Sequence, residues 1–114
     1  MFRSSGIPQN IKYNNKEAGK TPELSVIVPT YNESKNIDNL VTRAFAALKK
    51  HEVNAELIVV DDNSPDGTAK VAEKMSNSYP VRTYIRTKRE GPGPAILDGI
   101  RLANAQIACV MDGD

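Results

Sequence analysis

Three short apolar runs end in polar or acidic residues: Leu24-Ser-Val-Ile-Val-Pro-Thr-Tyr-Asn-Glu33, Glu56-Leu-Ile-Val-Val-Asp-Asp-Asn-Ser-Pro-Asp-Gly-Thr68 and Ile107-Ala-Cys-Val-Met-Asp-Gly-Asp114. A buried strand that delivers side chains to one rim of a parallel sheet has this form. In open α/β sheets that rim, outside the carboxyl ends of the strands, is where ligands bind. Carboxylates, an aromatic ring and an amide gathered there suit a nucleotide and a divalent cation.

Between these runs the apolar period changes from strand to helix. Leu24–Val28 reads as a first strand stopped by Pro29. A helix over Ser34–Lys50 follows, with Ser34 as N-cap and Ile37, Leu40, Val41, Ala44, Phe45 and Leu48 on one face. Leu57–Val60 is apolar on both faces, as a central parallel strand is. Ser64-Pro65 or Asp66 opens a second helix that turns Val71, Ala72 and Met75 to the sheet, Pro being favoured at a first helical position. Val81–Ile85 reads as a third strand, and Gly91-Pro92-Gly93-Pro94 as a stiff loop. The third helix, Ala95–Ala103, carries the stripe Ile96, Ile100 and Ala103, and Ile107–Met111 is the fourth strand.

Strand and helix in alternation predict an α/β fold with a parallel sheet and right-handed crossovers. The expected order is 3-2-1-4, which puts a topological switch point between strands one and four. Tyr31 and Asp112 then face each other across one crevice.

The chain of 114 residues is read as a polar tail over 1–22 and one small unit over 23–114. A net charge of +1 gives no global field to attract nucleic acid. Basic residues concentrate at Arg82, Arg86, Lys88, Arg89 and Arg101. No apolar stretch approaches the roughly 18–20 residues of a membrane-spanning helix. Cys109, in an apolar run, reads as a buried packing residue.

Four constellations carry chemistry. In Pro29-Thr30-Tyr31-Asn32-Glu33 the Tyr31 ring suits a base or ribose face and Glu33 accepts hydrogen bonds; the same residues also suit a plain strand-to-helix connection. Asp61 and Asp62, adjacent carboxylates, repel unless one finds donors, a cation or solvent. They suit a nucleobase edge, or a helix cap with one solvated partner. Asp112-Gly113-Asp114 places two carboxylates about a glycine, fit for a hard divalent ion and a diphosphate. Arg86, Lys88 and Arg89 are candidate phosphate or acceptor contacts, or simply a solvated charged face.

In this order the segments resemble the family-2 inverting glycosyltransferases, most closely the polyprenol (dolichyl) phosphate mannosyltransferases. The residues are Val26-Ile-Val-Pro-Thr-Tyr-Asn-Glu33, Val59-Val-Asp-Asp-Asn-Ser-Pro-Asp-Gly-Thr68, Gly91-x-Gly-x-Ala95 with Gly99, and Met111-Asp-Gly-Asp114. The resemblance implies the nucleotide-binding half of a GT-A fold, cut at its D-x-D element, and a transfer of mannose from GDP-mannose to a polyprenol phosphate with inversion. It implies guanosine contacts from Pro29, Tyr31 and Glu33, and a base pocket lined by Val60 and Asp62. Asp112 and Asp114 would serve catalysis by holding Mg or Mn, with Asp112 and Gly113 at the diphosphate. It also implies work at the cytoplasmic face of a membrane, reached through segments beyond this chain, so the chain alone is expected to be inactive. The paired prolines Pro92 and Pro94 depart from the usual Gly-Leu-Gly of this branch. Two rival readings are a family-2 transferase with another donor such as UDP-glucose, and a phosphoacceptor receiver domain with Asp112 as its acceptor.

Overall fold

The computed structural model describes residues 21–112. Most of the expected 1–22 tail therefore lies outside the described residues, as do Gly113 and Asp114. The elements run β1 (Leu24–Thr30), α1 (Ile37–Lys50), β2 (Ala55–Asp61), α2 (Thr68–Met75), β3 (Val81–Ile85), α3 (Pro92–Leu102) and β4 (Ile107–Val110). The four strands are all parallel, in the order β3-β2-β1-β4. This is the 3-2-1-4 arrangement expected from the alternation of periods.

Side-chain alternation along the two central strands sorts the core into two layers. Val26, Val28, Leu57 and Val59 pack with Ile37, Val41 and Ala44 of α1 and Ala72 of α2. Ile27, Ile58 and Val60 point the other way, onto Ala95 and Leu102 of α3. The chain steps outward from β1 to β3 and then returns past β1 to β4. With crossovers of one hand, that reversal moves the connecting helix to the opposite face.

Several boundaries differ from the sequence expectation, each for a physical reason. β1 does not stop at Pro29 but continues to Thr30, with Pro29 in register with Val60. The Ile27 carbonyl accepts from Met111 N–H on the β4 side, and the Thr30 carbonyl accepts from Asp62 N–H on the β2 side. Pro29 shares the orientation of Ile27, facing β4 beyond the last paired residue, so its missing N–H costs no rung of the ladder.

α1 begins at Ile37 with Asn36 as N-cap, not at Ser34. Asn36 and Ile37 both donate to the Glu33 carbonyl in a preceding turn. α2 begins at Thr68 after Gly67, whose φ of 88° is left-handed, so Pro65 lies in a turn and not at a first helical position. α3 begins at Pro92, earlier than expected. Pro92 and Pro94 both fall in the first turn, where N–H groups have no partner within the helix.

The buried stripe of α3 is Ala95, Gly99 and Leu102, not Ile96, Ile100 and Ala103. Gly99 sets that rotation: a Cβ there would stand 2.4 Å from Ile27 Cγ2. The helix can sit this close to β1 only with a glycine at the crossing. Cys109 is exposed, as is every residue of β4, because among the described residues β4 has a strand on one side only and α3 lies over β1 and β2 instead.

Candidate functional site

At the carboxyl ends of β1 and β2 a cavity of about 240 Å³ is lined by Pro29, Thr30, Tyr31, Glu33, Asp62, Arg89, Gly91, Pro92, Ala95 and Asp112. Tyr31 and Asp112 thus share one crevice, as the switch-point argument requires. Val60 does not line it; its side chain is buried in the core against α3.

The walls are made by hydrogen bonds between two loops that sequence reading treats separately. Three consecutive backbone amides after β1 donate to side chains after β2. Asn32 N–H reaches Ser64 Oγ at 2.8 Å, Glu33 N–H reaches Thr68 Oγ1 at 2.9 Å, and Ser34 N–H reaches Asp66 Oδ2 at 3.1 Å. Ser64-Pro-Asp-Gly-Thr68 is therefore the clamp that shapes the Tyr31–Glu33 segment. Asn32 and Asn63 adopt left-handed φ values of 56° and 60°, which Asn tolerates better than most residues. The expected N-cap residue Ser34 is used in this clamp.

Asp66 accepts from the Thr68 amide at 3.0 Å as well as from Ser34. Burial acts to raise its carboxyl pKa, but the hydrogen bonds from Thr68 and Ser34 outweigh it and lower the group from 3.8 to about 2.

The acidic pair divides its labour. Asp61 accepts from Thr30 Oγ1 at 2.7 Å, Ser64 Oγ at 2.6 Å and Ser64 N–H at 2.7 Å, which ties β1 to β2 and shapes the turn. Asp62 accepts from the Gly91 amide at 2.9 Å, at the N-cap of α3, and its Oδ1 lies 3.0 Å from Arg86 Nε. Neither Asp caps α2 and neither is solvated: both are buried.

The basic stretch is no uniform solvated face. Arg86 is buried beside Asp62, Glu90 and Asp98, with Nη1 2.9 Å from Asp98 Oδ2. A phosphate would have to take it from these carboxylates. Arg82 is buried too, against Glu56 at 2.9 Å. Lys88 is exposed and lies 3.9 Å from Glu90, away from the cavity lining. Arg89 alone of the three candidate phosphate contacts lines the cavity, its guanidinium 4.0 Å from the Tyr31 ring centre.

A second polar centre, which periodicity could not reveal, sits at the opposite end of the strands. Fully buried Glu56 accepts from Ser25 Oγ at 2.6 Å and from the Asn104 amide at 2.6 Å, and it pairs with Arg82. It ties the connection before β4 to the bases of β1, β2 and β3.

For a divalent ion, Asp112 offers hard oxygen donors at the cavity, the donor type that Mg and Mn take. Among the described residues no group of three or more His, Cys, Asp or Glu is arranged to hold a metal. Asp114, the second expected ligand, lies outside them, so the described donors suit such an ion in kind without completing its shell. Among the described residues, no helix is long and apolar enough to cross a membrane.

Comparison with known proteins gives three findings. The model of glycosyl transferase family 2 matches residues 25–114. A dolichol-phosphate mannosyltransferase of Pyrococcus furiosus is 42% identical over 92 residues, covering 81% of this chain and 26% of the relative. Among solved structures, the mannosyltransferase PcManGT of Pyrobaculum calidifontis in complex with GDP-Man and Mn2+ has a TM-score of 0.73 at 25% identity. That match covers 96% of this chain and 31% of the other. The S. aureus TarS structure with UDP-GlcNAc has a TM-score of 0.69 at 33% identity, covering 81% of this chain and 26% of that one. The chain thus spans about a quarter to a third of the length of these relatives.

Proposed function

The chain belongs to glycosyl transferase family 2 and has the GT-A architecture, and from that premise we propose that it is the nucleotide-sugar-binding part of a mannosyltransferase acting on a polyprenol phosphate. The observation that carries the reading is the cavity in which Pro29, Tyr31, Glu33, Asp62 and Asp112 meet at the strand ends. The named relative and the GDP-Man complex support mannose and guanosine diphosphate as the donor's parts.

In this reading the Tyr31 ring takes the flat face of the base or ribose, and Glu33 accepts hydrogen bonds from it. Asp62 acts mainly as part of the wall, since Gly91 and Arg86 already engage it. Asp112 and Asp114 would hold the divalent ion, which supplies charge neutralisation at the diphosphate leaving group. The acceptor phosphate is already an anion near neutral pH. The burden on the protein is therefore positioning and electrostatic stabilisation, not activation of a nucleophile. A lipid acceptor and a cytosolic donor, both parts of this reading, would favour work at the cytoplasmic face of a membrane.

The TarS likeness favours UDP donors as the second reading. The receiver-domain alternative loses its basis, because Asp61 and Asp62 are consumed by internal partners. Calorimetric titration of the chain with GDP and with UDP, in the presence of Mn, tests the proposal. Tighter binding of GDP is expected, and Tyr31→Ala should weaken it by about five- to 150-fold whereas Tyr31→Phe should not, because a stacked base contributes about 1–3 kcal/mol. No heat with either nucleotide at millimolar concentration would sink the reading.

A further inference from the structure

Three carboxylates, Glu33, Asp62 and Asp112, line the cavity, and Arg89 is its one basic side chain among the described residues. A diphosphate entering this cavity needs cationic partners, and beside a divalent ion only a basic side chain can supply one. The neighbouring basic residues are not disposed to do so: Arg86 is buried among three carboxylates, and Lys88 stands outside the lining. Arg89 differs from both. It is exposed, lies in the loop between β3 and α3, and among the described residues its guanidinium rests against the Tyr31 ring alone.

We propose that Arg89 is the diphosphate-binding arm of this site, and that it exchanges the Tyr31 ring for the phosphates when nucleotide enters. The inference rests on the nucleotide-binding reading above and adds a residue and a movement to it.

The physical case has two parts. An exposed cation–π contact favours the stacked position by only about two- to fivefold, so the arm is held weakly. An Arg–phosphate contact is charge-assisted and can be bidentate, roughly twice as strong as a neutral hydrogen bond, so the exchange runs toward the phosphate. Space argues the same way. The cavity of about 240 Å³ is smaller than the roughly 300 Å³ at which small-molecule sites begin. A guanidinium over Tyr31 occupies the ring face that a base or ribose would use, and its departure frees that face.

The consequence is a split between ligands with and without phosphates. In Arg89→Ala, GDP should bind about tenfold or more weakly through loss of a charge-assisted contact. Guanosine should bind about two- to fivefold more tightly, because the Tyr31 face no longer has a competitor. Calorimetry of the full chain with GDP and guanosine, wild type against Arg89→Ala, reads both. Arg89→Lys should recover part of the GDP affinity.

Inorganic pyrophosphate supplies a base-free check. The Arg89 side-chain protons should carry an upfield ring-current shift in NMR spectra, absent in Tyr31→Leu, and pyrophosphate should remove it in the wild type. Equal losses for GDP and guanosine in Arg89→Ala would assign Arg89 a packing role and overturn the proposal, as would no change for GDP. If the wild type binds pyrophosphate with loss of the shift but discriminates no nucleotide, the arm stands and the nucleotide reading falls. If it binds GDP with the shift intact, the nucleotide reading stands and the arm falls.

Discussion

Arg86 Nε stands 3.0 Å from Asp62 Oδ1, and both side chains are almost wholly withdrawn from water. The pair is close but unaligned, since neither atom meets hydrogen-bond geometry with a described partner, so the attraction is Coulombic. The other Asp62 oxygen takes the Gly91 amide. One carboxylate thus joins the end of β2 to the residue after β3 and to the N-cap of α3, the three elements behind the cavity.

Removing the cation should be costly. Arg86→Met leaves Asp62 buried without its counter-charge and frees Asp98 and Glu90, so urea unfolding should show a loss of about 3–5 kcal/mol. Arg86→Lys should recover only part of it, because a single ammonium cannot serve carboxylates arranged around a planar fork. Full recovery by Lys would contradict this account.

Gly99 is the position where α3 touches β1. Alanine raises helix propensity by about 1 kcal/mol, yet its Cβ would be placed 2.4 Å from Ile27 Cγ2. Overpacking of this kind costs typically about 1–3 kcal/mol, so Gly99→Ala should be net destabilising. The combination with Ile27→Ala should show a favourable coupling in a double-mutant cycle. Simple additivity would mean that the helix moves freely away from the strand.

Acid should loosen the loop clamp. Asp66 titrates at about 2 in the folded chain against 3.8 ordinarily. Its folded value is depressed, so its contribution is fully present above about pH 4 and is lost as pH falls toward 2. The urea midpoint of the wild type should therefore drop more steeply over that window than that of Asp66→Asn. Parallel pH profiles would show that the Ser34 and Thr68 hydrogen bonds do not favour the charged form.

Glu56 provides the contrast with the site. Glu56→Ala takes the carboxylate from the buried Arg82, which keeps its hydrogen bond to the Leu102 carbonyl, and releases Ser25 and Asn104 from Glu56, so a loss of about 3–5 kcal/mol is expected. The network lies at the far end of the strands, so nucleotide affinity of the folded protein should stay within twofold of wild type. A larger change in affinity would show that the two ends of the sheet are coupled.

The legible part of the site was its address. Pro29, Tyr31, Glu33, Asp62 and Asp112 stand at the ends of apolar runs, and hydrophobic period alone delivers such positions to one rim. What could not be read was which groups remain available to a ligand. Arg86 and Arg89 are two residues from Lys88 and one residue from it, all in one basic stretch, yet Arg86 is buried among carboxylates, Lys88 is exposed and Arg89 lies over an aromatic ring. Cys109 is exposed for a related reason: an apolar run looks the same whether or not a helix covers it, and among the described residues none covers β4.

The apolar strands, the helices between them and the polar residues at the strand ends follow from the sequence by itself, because period and turn chemistry are local properties; the order 3-2-1-4 is what alternating α/β chains usually adopt, and the strand pairing bears it out. The division of the carboxylates belongs to the tertiary structure. Asp61 closes on Thr30, Asp62 on Gly91 and Arg86, and Asp66 on Ser34, partners brought from as many as 32 residues away. Whether a charged group is wall or ligand site depends on which donors reach it and how much water is left, and both are set only when the strands and loops pack.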